Sequence, residues 1–547
     1  MKNDKPGEYI KKTYEKYHGR INIWFVIFAM LFSAMLVVSC HIFRSPVGAS
    51  TIENVYVTDF HFVDVIMWFF TIPVIYLLMK GAAFIFRALG AVFFKEQRRG
   101  KAGIWVFGGS FVLLMVLWFP YLPSYWPGGI YSDTVDSINM ALGKAALDNH
   151  NPILYTLIWR LMFRVTGAFT GAGEYGGLKL FTVVQMVLMA IVLSGFVFWC
   201  YKKGLHKSFI VLCLLIFGLL PLYPFYGISL WKDTIFSLVI FVFSVFLYHV
   251  FGEGGEDISW PYLTLYGLLS ILIIFLRNNG IYIAVFYSVI ISITAFGMKW
   301  KRTALKVGGL SATIILIAAI IQGPVYDSQG YNLDRARESL GIPLQQVAYI
   351  VSTDGVVSEE DMEVIDSIMP LESWKALYCP EVVDTIKFDP GFNREYLENH
   401  TGEFMKTYLH LISQNPVKAG KAYLLATMGF WDVFENSSTA YVCNFHFGNV
   451  EYFMSDYFDY YTNISFRNLV EPKNYISSAV WVWMMLATIF ICLAKRNYKG
   501  LIAVMPALGL WLSIMIATPV AFSFRYVYAL FLCVPLYFII CLRSFKE

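Results

Sequence analysis

Charge is scarce in this chain. Asp, Glu, Lys and Arg make up 15% of 547 residues, while hydrophobic residues make up 58%, a balance that no soluble globular domain presents to water. Cysteine is sparse as well. None of the eight lies at C-x-x-C spacing, which excludes a zinc ribbon or a dithiol centre. Only Cys379 and Cys443 share a polar segment, and they pair as a disulfide only if that segment meets an oxidising compartment. No Walker loop, internal repeat or low-complexity tract occurs, so no P-loop ATPase is attached.

What is abundant is apolar sequence in long runs. Stretches near 21–41, 62–80, 102–120, 178–200, 208–226, 233–251, 260–276, 281–298, 306–324, 476–494, 501–518 and 526–542 are each near the length a helix needs to cross roughly 30 Å of hydrocarbon. The expected fold is therefore an all-α polytopic membrane protein of about twelve transmembrane helices. The first run follows a 20-residue basic head, without the short apolar core and small-residue cleavage site of a signal peptide, so it reads as a span. If that head is cytoplasmic, alternate connections hold 24 Lys and Arg inside against 7 on short outer segments. By the inside-positive rule both termini are then cytoplasmic in a multi-pass protein of the cell membrane.

The divisions that follow are a cytoplasmic N-terminus (1–20), a transmembrane region (21–325) with an outer loop (121–177), an extracytoplasmic domain (326–475) and a C-terminal transmembrane region (476–547). Residues 151–166, with Arg160 and Arg164, are short for a span and read as an amphipathic helix in the outer interface. The external domain holds 22 acidic and 10 basic residues, which argues against nucleic acid as a partner. Its periodicity predicts helices over 343–352, 358–369 and 402–414, then a second helix after Asn415-Pro416 running to about Gly429. Tyr423, Leu424, Met428, Phe430 and Trp431 are expected to press this pair onto the spans or the bilayer, and the aromatic stretch 441–466 reads as a flap.

Polar residues collect at the outer ends of the spans. Trp126-Pro-Gly-Gly-Ile-Tyr131-Ser-Asp133-Thr-Val-Asp136 directly follows the third run. In a helix starting at Ser132 or Asp133 the two carboxylates share a face at i, i+3, where Asp133 suits a general base and equally suits a helix N-terminus. Tyr131 and Trp126 would tune it by partial burial. His150, before Asn151-Pro152, is either a proton carrier or a loop residue at a helix start. Lys232 and Asp233 stand at the mouth of the sixth run, as a snorkelling ion pair or as a phosphate contact and its orienting carboxylate. Arg277-Asn278-Asn279-Gly280 separates two apolar runs, and Arg525 sits at the last outer turn. A guanidinium at such a depth is costly without an anion, and phosphate is its bidentate partner, whether from a substrate or from a lipid head group.

This layout resembles the GT-C superfamily, the integral membrane glycosyltransferases that use polyprenyl-phosphate sugars, and is closest to a bacterial branch of it. The residues that carry the resemblance are Tyr131-Ser-Asp133-Thr-Val-Asp136 in an early outer loop, an interfacial helix at 151–166, short basic outer turns and an external lobe. It implies a catalytic group of Asp133, Asp136 and His150, a donor phosphate held by Lys232, Arg277 and Arg525, and support from Tyr131, Asp233, Asn278 and Asn279. The implied substrates are a polyprenyl-phosphate-linked sugar and a lipid or glycan acceptor, met at an extracytoplasmic active site among membrane lipids. No metal ligands are assigned and no cofactor is named, with a divalent metal left open. The chain departs from the family's pattern in carrying its acidic motif after the third run and its lobe after the ninth. Two alternatives remain: a polysaccharide polymerase or ligase acting on lipid-linked glycans, and a secondary transporter, whose site would lie at the midplane on broken helices.

Overall fold

The computed structural model describes residues 21–45, 50–93, 103–170, 173–332, 335–434, 456–470, 477–517 and 520–546. Among them the chain is helical nearly throughout, with one two-stranded antiparallel ribbon, β1 (Ile42–Arg44) and β2 (Val55–Val57), in which Phe43 faces Tyr56. The helices of the first half are α1 (Ile23–Ser39), α2 (Phe62–Phe93), α3 (Gly103–Trp118), α4 (Tyr121–Ser124), α5 (Ser132–Ala141), α6 (Ile153–Thr170), α7 (Gly173–Lys202), α8 (Lys207–Leu219), α9 (Leu222–Ile228), α10 (Lys232–Gly254), α11 (Trp260–Leu276), α12 (Gly280–Gly297) and α13 (Lys301–Ile320).

Among the described residues, seven helices are long and apolar enough to cross a membrane: Phe62–Phe93, Gly103–Ser124, Gly176–Lys202, Lys232–Gly252, Gly280–Gly297, Lys301–Ser328 and Tyr498–Ala517. The pair α8 and α9, bent by 52°, makes an eighth if it is one span. The bend falls where Leu220 turns extended and Pro221 begins the next helix, since proline cannot donate into the preceding turn. The other four runs expected to span fall on shorter apolar helices, Ile23–Ser39, Trp260–Leu276, Ala479–Lys495 and Val534–Phe545. Long stripes of Phe, Leu, Ile and Val stay exposed on α2, α3 and α11, as expected where the surrounding solvent is hydrocarbon. The chain is a helical protein inserted in the membrane.

Between α13 and the last spans lies a lobe with its own core. Its helices include α14 (Gly341–Ser352), α15 (Glu359–Ile368), α16 (Leu371–Leu377), α17 (Asp384–Lys387), α18 (Arg394–Asn399), α19 (Thr401–Gln414) and α20 (Pro416–Thr427), close to where periodicity put the longer ones, with a short turn of helix at Arg335–Ser339 before them. They bury Leu344, Ile365, Trp374, Leu397, Phe404, Leu411 and Leu425 together. Val55 and Val57 of the ribbon join this core, as do Ala521 and Phe522 from the far end of the chain. The lobe is therefore closed by segments on either side of it in sequence.

The chain then returns through α21 (Ala479–Lys495), α22 (Tyr498–Ala517), α23 (Tyr528–Leu532) and α24 (Val534–Lys546). Several hydrogen bonds tie lobe to bundle: Tyr423 Oη to the Met515 carbonyl (3.0 Å), Trp483 Nε1 to that of Trp431 (2.7 Å), and the Ala521 amide to that of Glu381 (2.9 Å). The Arg44–Glu381 ion pair adds a fourth tie. Phe430 belongs to the bundle core, so the end of the α19–α20 pair does press onto the spans. Cys443 and most of the stretch 441–466 lie outside the described residues, and the proposed disulfide with Cys379 lies outside them as well.

Candidate functional site

Two glycines set the site's first register. Gly128 has φ +135°, and a Cβ there would strike the Thr182 hydroxyl and come within 3.1 Å of the Ile228 carbonyl. Without side chains, Gly128 and Gly129 let residues 126–131 run beside 228–231. The Gly129 amide donates to the Ile228 carbonyl and the Leu230 amide donates to that of Gly129, both at 2.8 Å. Tyr131 then stacks on Trp231 with ring centres 3.6 Å apart, and Thr134 Oγ1 donates to the Leu230 carbonyl at 2.6 Å. The first turn of α5 is thereby pinned to the start of α10, and Asp133 meets Lys232.

The third contribution is the turn between α11 and α12. Gly280 packs so closely on α11 that a Cβ would overlap the Ile273 carbonyl, and its amide donates to the Arg277 carbonyl at 2.8 Å. Arg277 is then held between the rings of Phe236 (5.4 Å) and Tyr526 (5.1 Å) while Nη1 donates to Asp233 Oδ1 at 2.7 Å. Asn278 Nδ2 donates to the carbonyls of Asn149 (2.7 Å) and His150 (3.1 Å), clamping the loop between α5 and α6 onto this turn. The fourth is the 3-10 turn Phe524–Tyr526, which presents Arg525 over Trp231 at 5.4 Å.

These four pieces line one open-mouthed cavity of about 510 Å³. Of the residues singled out from sequence, Asp133, Asp136, His150, Lys232, Asp233, Arg277, Asn278, Asn279 and Arg525 all line it, and Tyr131 lies just behind in the packed core. The pairing differs from the adjacent Lys232–Asp233 bridge that sequence allowed. Arg525 Nη1 donates to Asp133 Oδ2 at 3.1 Å, and Lys232 Nζ stands 3.5 Å from the same oxygen. Lys232 also donates to Asn151 Oδ1 at 2.5 Å. Asp233 turns the other way, to Arg277, with Arg525 Nε 3.9 Å from its second oxygen. Successive residues of a helix point about 100° apart, so neighbours in sequence serve different partners.

The lobe supplies residues that sequence reasoning missed. Glu338, Asp384 and Phe388 line the same cavity. Glu338 faces His150 Nδ1 at 3.6 Å and accepts from Lys387 Nζ at 2.9 Å. Nothing near them in sequence marks them, because they are three among the many acids and aromatics of an acidic lobe, chosen by how it docks.

The electrostatics separate the carboxylates. Burial opposes ionisation of Asp133, but Lys232, Arg525 and His150 outweigh it and hold its carboxyl well below the usual range. Asp136 is pushed up, by burial first and then by the charge of Asp133. Glu338 falls to about 2: burial would raise it, and its ion-pair contact with His150 and the charge of Lys387 overcome this. The same contact raises His150 against the opposing effect of burial. Asp384 is raised by burial, with Lys387 opposing. The site thus holds an ionised carboxylate pinned by cations next to a second, less paired one. Among the described residues, no three His, Cys, Asp or Glu side chains are grouped to hold a metal ion.

The sequence profile of a family of unknown function, DUF6020, matches residues 142–547. The chain belongs to this family. The DUF6020 match takes in His150, Lys232, Arg277, Arg525 and the whole lobe, and begins just after the helix that carries Asp133 and Asp136. No curated protein and no solved structure matches the chain.

Proposed function

We propose that this protein is a membrane glycosyltransferase of GT-C type, moving a sugar from a polyprenyl-phosphate carrier to a lipid or glycan acceptor at the extracytoplasmic face. In this reading the twelve apolar helices are twelve crossings, both termini are cytoplasmic, and the lobe covers the outer mouth of the cavity. The inside-positive count of basic residues supports that orientation. The observation that carries the chemistry is the convergence of Lys232, Arg277 and Arg525, from three separate turns, with Asp133 around one cavity.

The reaction forms a bond between the acceptor heteroatom and the anomeric carbon and breaks the bond from that carbon to the phosphate oxygen. The leaving phosphate keeps the electron pair and gains a negative charge, which the three cations are arranged to stabilise. The acceptor's proton goes to a carboxylate. In the resting site Asp133 is too strongly paired to be a good base. A donor phosphate that draws Lys232 and Arg525 onto itself releases Asp133 and raises its basicity when the acceptor must be deprotonated. Asp136, three residues on, is the less encumbered neighbour.

Binding of polyprenyl phosphate, the expected product, tests the cation cluster without turnover. Hydrogen bonds to charged groups contribute about 1.5–3 kcal/mol, so Arg525→Gln and Lys232→Gln should each weaken calorimetric affinity by roughly 10- to 100-fold. Unchanged affinity in both variants would remove the phosphate site.

A further inference from the structure

The lobe brings an aromatic ring and a carboxylate into the cavity at i, i+4, Asp384 at the start of α17 and Phe388 just past its end. Phe388 lines the cavity and is 51% exposed. The guanidinium of Arg337 lies 4.8 Å over the ring and His150 meets it edge-on at 6.3 Å, so the bare part of the ring is left for an occupant. Lys387 Nζ also lies 5.6 Å from the ring centre; a half-exposed ring flanked by cations is a platform, and platforms of this kind take apolar faces.

A second observation comes from the opposite wall. Asp233 is 2% exposed, lines the cavity and gives one oxygen to Arg277, yet its Oδ2 accepts no hydrogen bond. A buried acceptor left unmet is costly, and a phosphate oxygen cannot meet it because it brings no proton. Arg525 Nε stands 3.9 Å from that oxygen, beyond hydrogen-bond distance, so the site has room for a donor on Asp233 Oδ2 and for an apolar surface against Phe388. A pyranose ring has both: a face of C–H bonds and a rim of hydroxyls. The cavity, about 510 Å³, has the size of sites that hold a small ligand whole.

We propose that Phe388, Asp384 and Asp233 form a sugar-ring subsite, with the C–H face of the ring against Phe388 and its hydroxyls donated to the two carboxylates. The lobe then selects the sugar, and the membrane turns hold the phosphate. This rests on the transferase reading for its phosphate half only.

Calorimetric titration of the full chain in detergent separates the two halves. The probes are mannose 1-phosphate, N-acetylglucosamine 1-phosphate, butyl phosphate, phosphoethanolamine and methyl mannoside. At least one sugar phosphate should bind 10-fold or more tighter than butyl phosphate, and that ratio should fall toward one in Phe388→Ala, Phe388→Leu and Asp384→Asn. The leucine variant keeps the bulk without the ring, so a loss there is not a folding defect. Butyl phosphate or phosphoethanolamine binding as tightly as both sugar phosphates would overturn the subsite while leaving the phosphate site intact, and so would a ratio that survives all three variants. Methyl mannoside binding that depends on Phe388, with no phosphate binding at all, would support the subsite and sink the transferase reading.

Discussion

Asp233 is the most deeply buried acid lining the cavity, at 2% exposure, and its pairing with Arg277 follows from what burial does to charge. Neither group is tolerable alone at that depth, and removing one partner of such a pair typically costs about 3–5 kcal/mol. The same logic made Arg277, Arg525 and Lys232 readable from sequence, since cations at the ends of apolar runs need anions. Which anion each would take was not readable, because it depends on side-chain direction within the first turn of α10. The contact between His150 and Glu338 carries a pH dependence. Glu338 falls from 4.5 to about 2, so its contribution is present above the ordinary value and lost as pH falls toward 2. His150 is raised above 6.5, so its contribution is complete below that value and lost as pH climbs through the raised one. Docking of the lobe on the loop between α5 and α6 should be tightest between about pH 4.5 and 6.5. Hydrogen exchange in α14 and α17 should quicken above that window, beyond the intrinsic rise, and His150→Gln should abolish the alkaline change; a wild-type response identical to that of the variant would contradict the assignment.

At the scale of elements, glycines decide how closely the turns approach. Gly280 lets α12 start against α11, which aims Arg277 at Asp233. Gly280→Ala should push the two helices apart, lower the thermal midpoint by several degrees and weaken polyprenyl phosphate binding at least as much as loss of one cation. A variant with wild-type midpoint and affinity would show that the turn is not what positions Arg277. Helices were legible where apolar periodicity was long, and α14, α15 and α19 begin and end within about two residues of their expected bounds. The ribbon of β1 and β2 was not foreseen. Its strands are three residues each, too short for alternation to register, and it exists because Val55 and Val57 find a core supplied by the lobe nearly 300 residues later.

For the whole molecule, composition alone announced a helical membrane protein, and the seven long apolar helices agree. The remaining expected spans fall on one bent pair and four helices of 10–17 residues, where hydropathy finds the run but not the break within it or the turn that shortens it. How the lobe sits on the bundle was invisible in sequence, because its ties are single contacts such as Arg44 with Glu381 and Tyr423 with Met515. That docking turns a cluster of ion pairs into a roofed cavity with a membrane wall and a lobe wall. The most direct test is turnover. Full-length protein in detergent, given a radiolabelled polyprenyl-phosphate sugar, should release free polyprenyl phosphate. Release should drop by about 100-fold or more in Asp133→Asn. A donor recovered intact across a range of sugars, or release that Asp133→Asn leaves unchanged, would contradict a transferase built on this cavity.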